Sequence, residues 1–131
     1  MPPRPRVLVI EDDAALRKVL ELRLTLEGFE VAVACDGQAG LDRIQDFVPD
    51  AVISDLMMPR LDGFGFCRAA RARPGLEHLP IVLLTAHQRD DDIDELLQLG
   101  SIVYMGKPFD APTLAGTLRR LVAGASAATA G

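Results

Sequence analysis

Five apolar runs of four residues return through the 131-residue chain, at positions 7–10, 31–34, 51–54, 81–84 and 102–105, and each is followed by a stretch with helical spacing. The runs are rich in β-branched and aliphatic side chains and read as strands. Residues 14–27 carry Leu16, Val19, Leu20 and Leu24 on one helical face, with Gly28 as the stop. Further helices are expected over 37–47 (ended by Pro49), 63–72 (behind Asp62 as cap), 91–99 (ended by Gly100) and 112–122 (behind Asp110). Strict alternation of apolar strands with helices implies right-handed crossovers and hence an α/β fold, a doubly wound parallel sheet with helices on both faces. Gly65 and Gly116 fall inside predicted helices at a cost of about 1 kcal/mol each relative to alanine, so those helices must lean on packing.

One hydrophobic core suits this length and a 49% hydrophobic content. Residues 1–5, proline-rich, read as an N-terminal extension, 6–122 as the domain, and the alanine-rich 123–131 as a flexible tail or linker remnant. With 14 basic and 19 acidic residues the net charge is −5, which argues against direct nucleic-acid or lipid attraction. No apolar run approaches membrane-spanning length, and no signal-peptide core precedes the first strand. Cys35 and Cys67 have neither metal-ligand nor redox spacing and sit among residues that read as buried or half-buried, so the cytoplasm is the expected compartment.

The chemistry gathers at the strand ends. Glu11-Asp12-Asp13 follows the first strand, Asp55 the third, Thr85 the fourth, and Lys107 lies just beyond the fifth. In a doubly wound sheet these positions share the carboxyl edge, where ligands bind. Crowded carboxylates repel one another, and a hard oxygen donor set selects Mg2+ or a similar ion. Magnesium keeps waters and takes few protein oxygens, so the site suits a phosphoryl group, with Lys107 and Thr85 able to meet phosphoryl oxygens. Taken singly, Asp13 and Asp62 are ordinary helix caps, and a lone Thr or Lys after a strand carries nothing. Asp55 is different, because Leu56-Met57-Met58-Pro59 begins no amphipathic helix behind it.

With Leu8-Val9-Ile10-Glu11-Asp12-Asp13, Asp50 through Pro59, Leu84-Thr85-Ala86 and Lys107-Pro108-Phe109 in view, the chain resembles the receiver domain of bacterial two-component response regulators. The resemblance implies a flavodoxin-like strand order 2-1-3-4-5. It further implies Asp55 as phospho-acceptor, a magnesium site of Glu11, Asp12, Asp55 and the Met57 carbonyl, and Lys107 and Thr85 on the phosphoryl oxygens. Its donor would be a sensor histidine kinase or histidine phosphotransfer protein. Its output would pass through the fourth helix, fifth strand and fifth helix to a downstream protein or effector domain. Thr85 and the aromatic Tyr104 would form the switch, and the Lys107-Pro108 bond would be cis. Such a domain is no conventional enzyme, but catalyses its own phosphorylation and dephosphorylation.

Two departures from the family's pattern stand out. Ile102 and Val103 stand before Tyr104 where acidic residues are common, which suggests a homodimer or docking surface, although strand alternation turns one of them into the core anyway. Met57 and His87 occupy the positions that tune phosphoryl lifetime, and an apolar Met57 predicts slow autodephosphorylation unless the His87 imidazole reaches the attacking water. His78 reads as a surface histidine without function.

Three rivals share features with this reading. A flavin binder wants a hydroxyl- and glycine-rich first loop, which Glu11-Asp12-Asp13 is not. An aspartate-nucleophile phosphatase wants its nucleophile after the first strand in an Asp-x-Asp pattern, which Glu11-Asp12-Asp13 is not, and usually needs a cap domain as well. A phosphorylation-independent pseudo-receiver, a docking module, usually lacks the acidic pair, acceptor or lysine, all of which are here.

Overall fold

The computed structural model describes residues 4–130. The part of the expected extension at residues 1–3, and residue 131 of the expected tail, lie outside the described residues. In chain order the elements are β1 (Arg6–Ile10), α1 (Ala14–Leu26), β2 (Glu30–Ala34), α2 (Gly37–Phe47), β3 (Ala51–Ser54), α3 (Gly63–Arg71), β4 (Ile81–Thr85), α4 (Asp91–Leu97), β5 (Ile102–Gly106) and α5 (Ala111–Ala130). The strands form one parallel sheet in the order β2-β1-β3-β4-β5. The expected fold and strand order are both found.

Alternation along each strand divides the core in two. Leu8, Ile10, Val52, Ile81, Leu83 and Ile102 face α2, α3 and α4, meeting Ile44, Phe66 and Ile93. Val7, Val9, Ile53, Val82 and Leu84 face α1 and α5, meeting Leu20, Leu24, Leu114 and Leu118. Burying each large apolar side chain here contributes about 1.5–3 kcal/mol, set against the entropy of ordering the chain.

Aspartates start the helices. Asp13 accepts from the Ala15 and Leu16 N–H groups, Asp62 from Gly65, and Asp110 from Thr113. Asp36 and Asp90 cap α2 and α4 in the same way, accepting from Ala39 and Ile93. Gly28, at φ 100°, ends α1 in the left-handed region.

Three details differ from the sequence reading. Val19 is 43% exposed rather than part of the buried face of α1, because spacing by four residues keeps Leu16, Leu20 and Leu24 toward the sheet and turns Val19 outward. Cys35 is exposed, since β2 ends at Ala34 and the chain turns out of the sheet there. Cys67 is buried, and burial pushes its thiol up to about 12. The fifth helix also runs to Ala130, well past residue 122, because the alanine-rich segment has high helix propensity.

Of the pair before Tyr104, Ile102 takes the core position and Val103 is half-buried. His78 is exposed.

Candidate functional site at the carboxyl edge

The strand ladders run one residue past the strands and so fix the site's backbone. The Glu11 N–H donates to the Ala34 carbonyl at 3.0 Å, Asp55 N–H to Ile10 at 3.1 Å, and Lys107 N–H to Thr85 at 2.8 Å. Glu11 and Asp55 thereby stand side by side where β1 and β3 meet, at the reversal of strand order.

Carboxylate oxygens of Glu11, Asp12 and Asp55 lie within 4.8 Å of one another. From β5 the Lys107 side chain reaches past the end of β4 and places Nζ 2.9 Å from Glu11 Oε1 and 3.0 Å from Asp55 Oδ2. The Lys107-Pro108 bond is cis. Asp55 is further held by the Leu56 N–H, which donates to Oδ1 at 2.6 Å. Three carboxylates and one ammonium leave an excess of two negative charges, the charge a divalent cation supplies.

Glu11 is only 2% exposed, and burial holds its carboxyl above the ordinary carboxylate range despite bonds from Lys107 and the Asp13 N–H that oppose the shift. For Lys107 burial acts downward, but hydrogen bonds and charge attraction from Glu11 and Asp55 outweigh it and hold the ammonium above the usual lysine value. The lysine is therefore firmly charged and the glutamate strained as an anion, a pairing that a bound cation relieves.

Thr85 is 1% exposed. Its hydroxyl accepts from the His87 N–H at 3.1 Å, and among the described residues no hydrogen bond joins it to the carboxylates. The Tyr104 hydroxyl donates to the His87 carbonyl at 2.8 Å. The His87 imidazole turns to Asp90, with Nε2 2.9 Å from Oδ2. Met57 follows Asp55 by two positions and is 61% exposed.

Two supporting residues escaped the sequence reading. Arg17 Nη1 donates to the Glu11 carbonyl at 2.8 Å and reaches that of Asp12 at 3.5 Å, bracing the acidic turn from the first turns of α1. Only its position on the helix after the acidic triplet could have signalled this. Gly63 donates to the Leu56 carbonyl at 2.9 Å, and a Cβ there would collide with the Asp55 carbonyl oxygen and Leu56 Cα. Its place directly after the cap Asp62 was legible, the close approach to Asp55 was not. A groove of about 480 Å³ between Val48, Leu76, His78 and Val122 lies at the opposite edge, away from all of these groups.

This edge and sheet define a doubly wound α/β domain with an acidic cluster at its carboxyl edge, and known proteins narrow the class. The family model described as "Response regulator receiver domain" matches residues 7–119, and the chain belongs to that family, of two-component signalling. The transcriptional regulatory protein AfsQ1 of Streptomyces coelicolor is 42% identical over 120 residues, covering 90% of this chain and 51% of the relative. The phosphate regulon transcriptional regulatory protein PhoB of Rhizobium meliloti is 36% identical over 118 residues, 90% of this chain and 52% of its own. The chain thus spans about half the length of these curated relatives. Among solved structures, the chemotaxis response regulator CheY4 of Vibrio cholerae matches with a TM-score of 0.82 and 32% identity, over 90% of this chain and 98% of that one. A putative response regulator from Chloroflexus aurantiacus gives 0.82 and 33%, over 92% and 98%.

Proposed function

We propose that this domain is a phosphorylation switch in which Asp55 takes a phosphoryl group from a phosphohistidine on a sensor kinase or phosphotransfer protein. The observation that carries the reading is the Lys107 ammonium held between Glu11 and Asp55 inside a three-carboxylate cluster. A carboxylate oxygen of Asp55 attacks phosphorus, the bond from phosphorus to the donor imidazole nitrogen breaks, and the imidazole leaves with the electron pair. The Leu56 N–H fixes the rotamer of Asp55 for that attack, and Lys107 stands ready to pair with a phosphoryl oxygen.

The oxygen-only donor set fits Mg2+, with Glu11, Asp12, Asp55 and the Met57 carbonyl as the residues that would hold it. When bound, the ion supplies charge neutralisation of the transferring group. Thr85 lies at the end of β4, and its hydroxyl is the group assigned to a second phosphoryl oxygen. Thr85 and Tyr104, both bonded to His87, form the switch, and α4, β5 and α5 form the output face toward a downstream protein or effector domain. A homodimer through the Val103 side of that face is one form such output takes. Among the described residues no helix is long and apolar enough to cross a membrane, and the cytoplasm, where sensor kinases present their phosphohistidine, is the proposed compartment.

Intact mass after incubation with acetyl phosphate tests the proposal. A phosphoryl adduct that needs Mg2+ and disappears in Asp55→Ala is the expected result. Absence of any adduct with both acetyl phosphate and a phosphorylated kinase would favour a docking module that works without phosphorylation.

A further inference from the structure

His87 gathers three bonds that lead in three directions. Its N–H donates to Thr85 Oγ1 at 3.1 Å, its carbonyl accepts from the Tyr104 hydroxyl at 2.8 Å, and its Nε2 lies 2.9 Å from Asp90 Oδ2. The other oxygen of Asp90 accepts from the Ile93 N–H at 2.9 Å and so caps α4. We infer that the His87 side chain, acting through Asp90, is a positioning link that carries a displacement at Thr85 into α4.

Ala86, Gln88, Arg89 and Asp90 are exposed, and His87 is the one half-buried residue between β4 and α4. An exposed loop of this kind absorbs displacement as a hinge, by changes in its own φ and ψ, and passes little on. The imidazole-carboxylate bond closes residues 87–90 into a ring, with one end fixed on Thr85 and Tyr104 and the other on the first turn of α4. A shift of Thr85 then moves the cap of α4 rather than only the loop. The Arg89–Asp94 pair at 2.6 Å also spans the loop's end, but it touches neither Thr85 nor Tyr104. The same bond engages the imidazole with α4, which gives His87 a role at the helix rather than at a water beside Asp55.

The use of this link in signalling rests on the proposed phosphoryl site, whereas its existence is testable without a phosphoryl group. Thr85→Val removes the hydroxyl that His87 N–H binds while keeping the volume. Its effect on the backbone amide NMR shifts of residues 91–97 is compared in four backgrounds: wild type, His87→Ala, Asp90→Ser, and the double variant. Serine caps a helix as well as aspartate but is too short to hold the imidazole, so α4 keeps its start. The shift changes in α4 are expected to fall by about half or more in either single variant, and no further in the double one, because both break one link. His87→Gln, with an amide donor of similar reach, restores them. Full-sized changes in either single variant, or additive losses in the double variant, overturn the inference. Failure of acetyl phosphate to modify Asp55 would instead strike the proposed function, and the shift comparison would still read out the link.

Discussion

The Lys107 ammonium sits 3.0 Å from the Asp55 carboxylate and at the same time 2.9 Å from Glu11, so one cation holds together two anions delivered by different strands. Its side chain is 18% exposed and that of Glu11 3%, and little water is available to screen either partner. The cluster still carries more negative than positive charge, and opposite consequences follow for removing one sign or the other.

Lys107→Ala strands Glu11 as a buried anion, and urea unfolding at neutral pH without divalent cations should show a loss of about 3 kcal/mol. Glu11→Gln removes the strained charge and should leave stability unchanged or raise it by about 1 kcal/mol, while weakening Mg2+ binding in calorimetry. The pH dependence has a definite sign. The raised value of Lys107 makes its contribution fully present below the ordinary lysine value of 10.5 and lost as pH rises through the higher folded value. The raised value of Glu11 costs stability at neutral pH, a cost relieved as pH falls through its folded value toward 4.5. Stability profiles of wild type and Glu11→Gln should therefore converge on the acid side.

Arg71 is a structural keystone at the other edge of the sheet. Its guanidinium donates to the carbonyls of Leu76 at 2.9 Å, Leu79 at 2.7 Å, Gly100 at 2.8 Å and Ser101 at 3.3 Å, tying the end of α3 to the loops before β4 and β5. Burial pulls its pKa down, yet the fork keeps its carbonyl partners. Arg71→Met should cost about 2–3 kcal/mol in urea unfolding, with Arg71→Lys recovering little because an ammonium cannot span this fan of acceptors. Mg2+ affinity should not change.

Two glycines inside helices should respond in opposite directions. At Gly63 a methyl group meets the Asp55 carbonyl and Leu56 Cα, so Gly63→Ala should lose about 2 kcal/mol or more and slow phosphorylation by displacing Asp55. At Gly116 an added Cβ meets nothing within 4 Å, and Gly116→Ala should gain about 1 kcal/mol in helix propensity. Thermal midpoints of the two variants are the check.

If Asp55 is phosphorylated as proposed, Met57 and His87 bear on how long the phosphoryl group lasts. Met57 offers no polar atom on its side chain to hold an attacking water, and the His87 imidazole is engaged by Asp90. Slow hydrolysis of the aspartyl phosphate is expected, and Met57→Gln should hasten it on the order of tenfold, followed as loss of the phosphoryl mass. Equal rates in the two proteins would refute this account of the lifetime.

The alternation of apolar runs and helices was enough to place every strand within about one residue, because period-two burial on both faces leaves little else for such runs to do. The carboxyl edge was equally legible, since Glu11, Asp12, Asp55, Thr85 and Lys107 each stand directly at or beyond a strand end. What escaped depends on contacts made at long sequence distance. Arg71 reads as one more surface arginine until the loops it binds are placed, and Gly63 reads as a helix start until α3 is packed on Asp55. The caps Asp36 and Asp90 needed only local chemistry, but Asp90 sits in the polar run Gln88-Arg89-Asp90-Asp91-Asp92, which offered no contrast. The outward turn of Val19 shows the limit of counting one apolar face on an α/β helix, where the sheet covers a narrower stripe than the sequence offers.

In the proposed function Asp55, alone among the carboxylates of this edge, accepts the phosphoryl group. The direct test is borohydride reduction of the protein after treatment with acetyl phosphate and Mg2+, followed by peptide mapping, since reduction converts an aspartyl phosphate to homoserine and marks its position. Homoserine at the position of Asp55, dependent on Mg2+, is expected. Homoserine at Asp12 or Asp13 instead, or none in a protein that is folded and binds Mg2+, would contradict it.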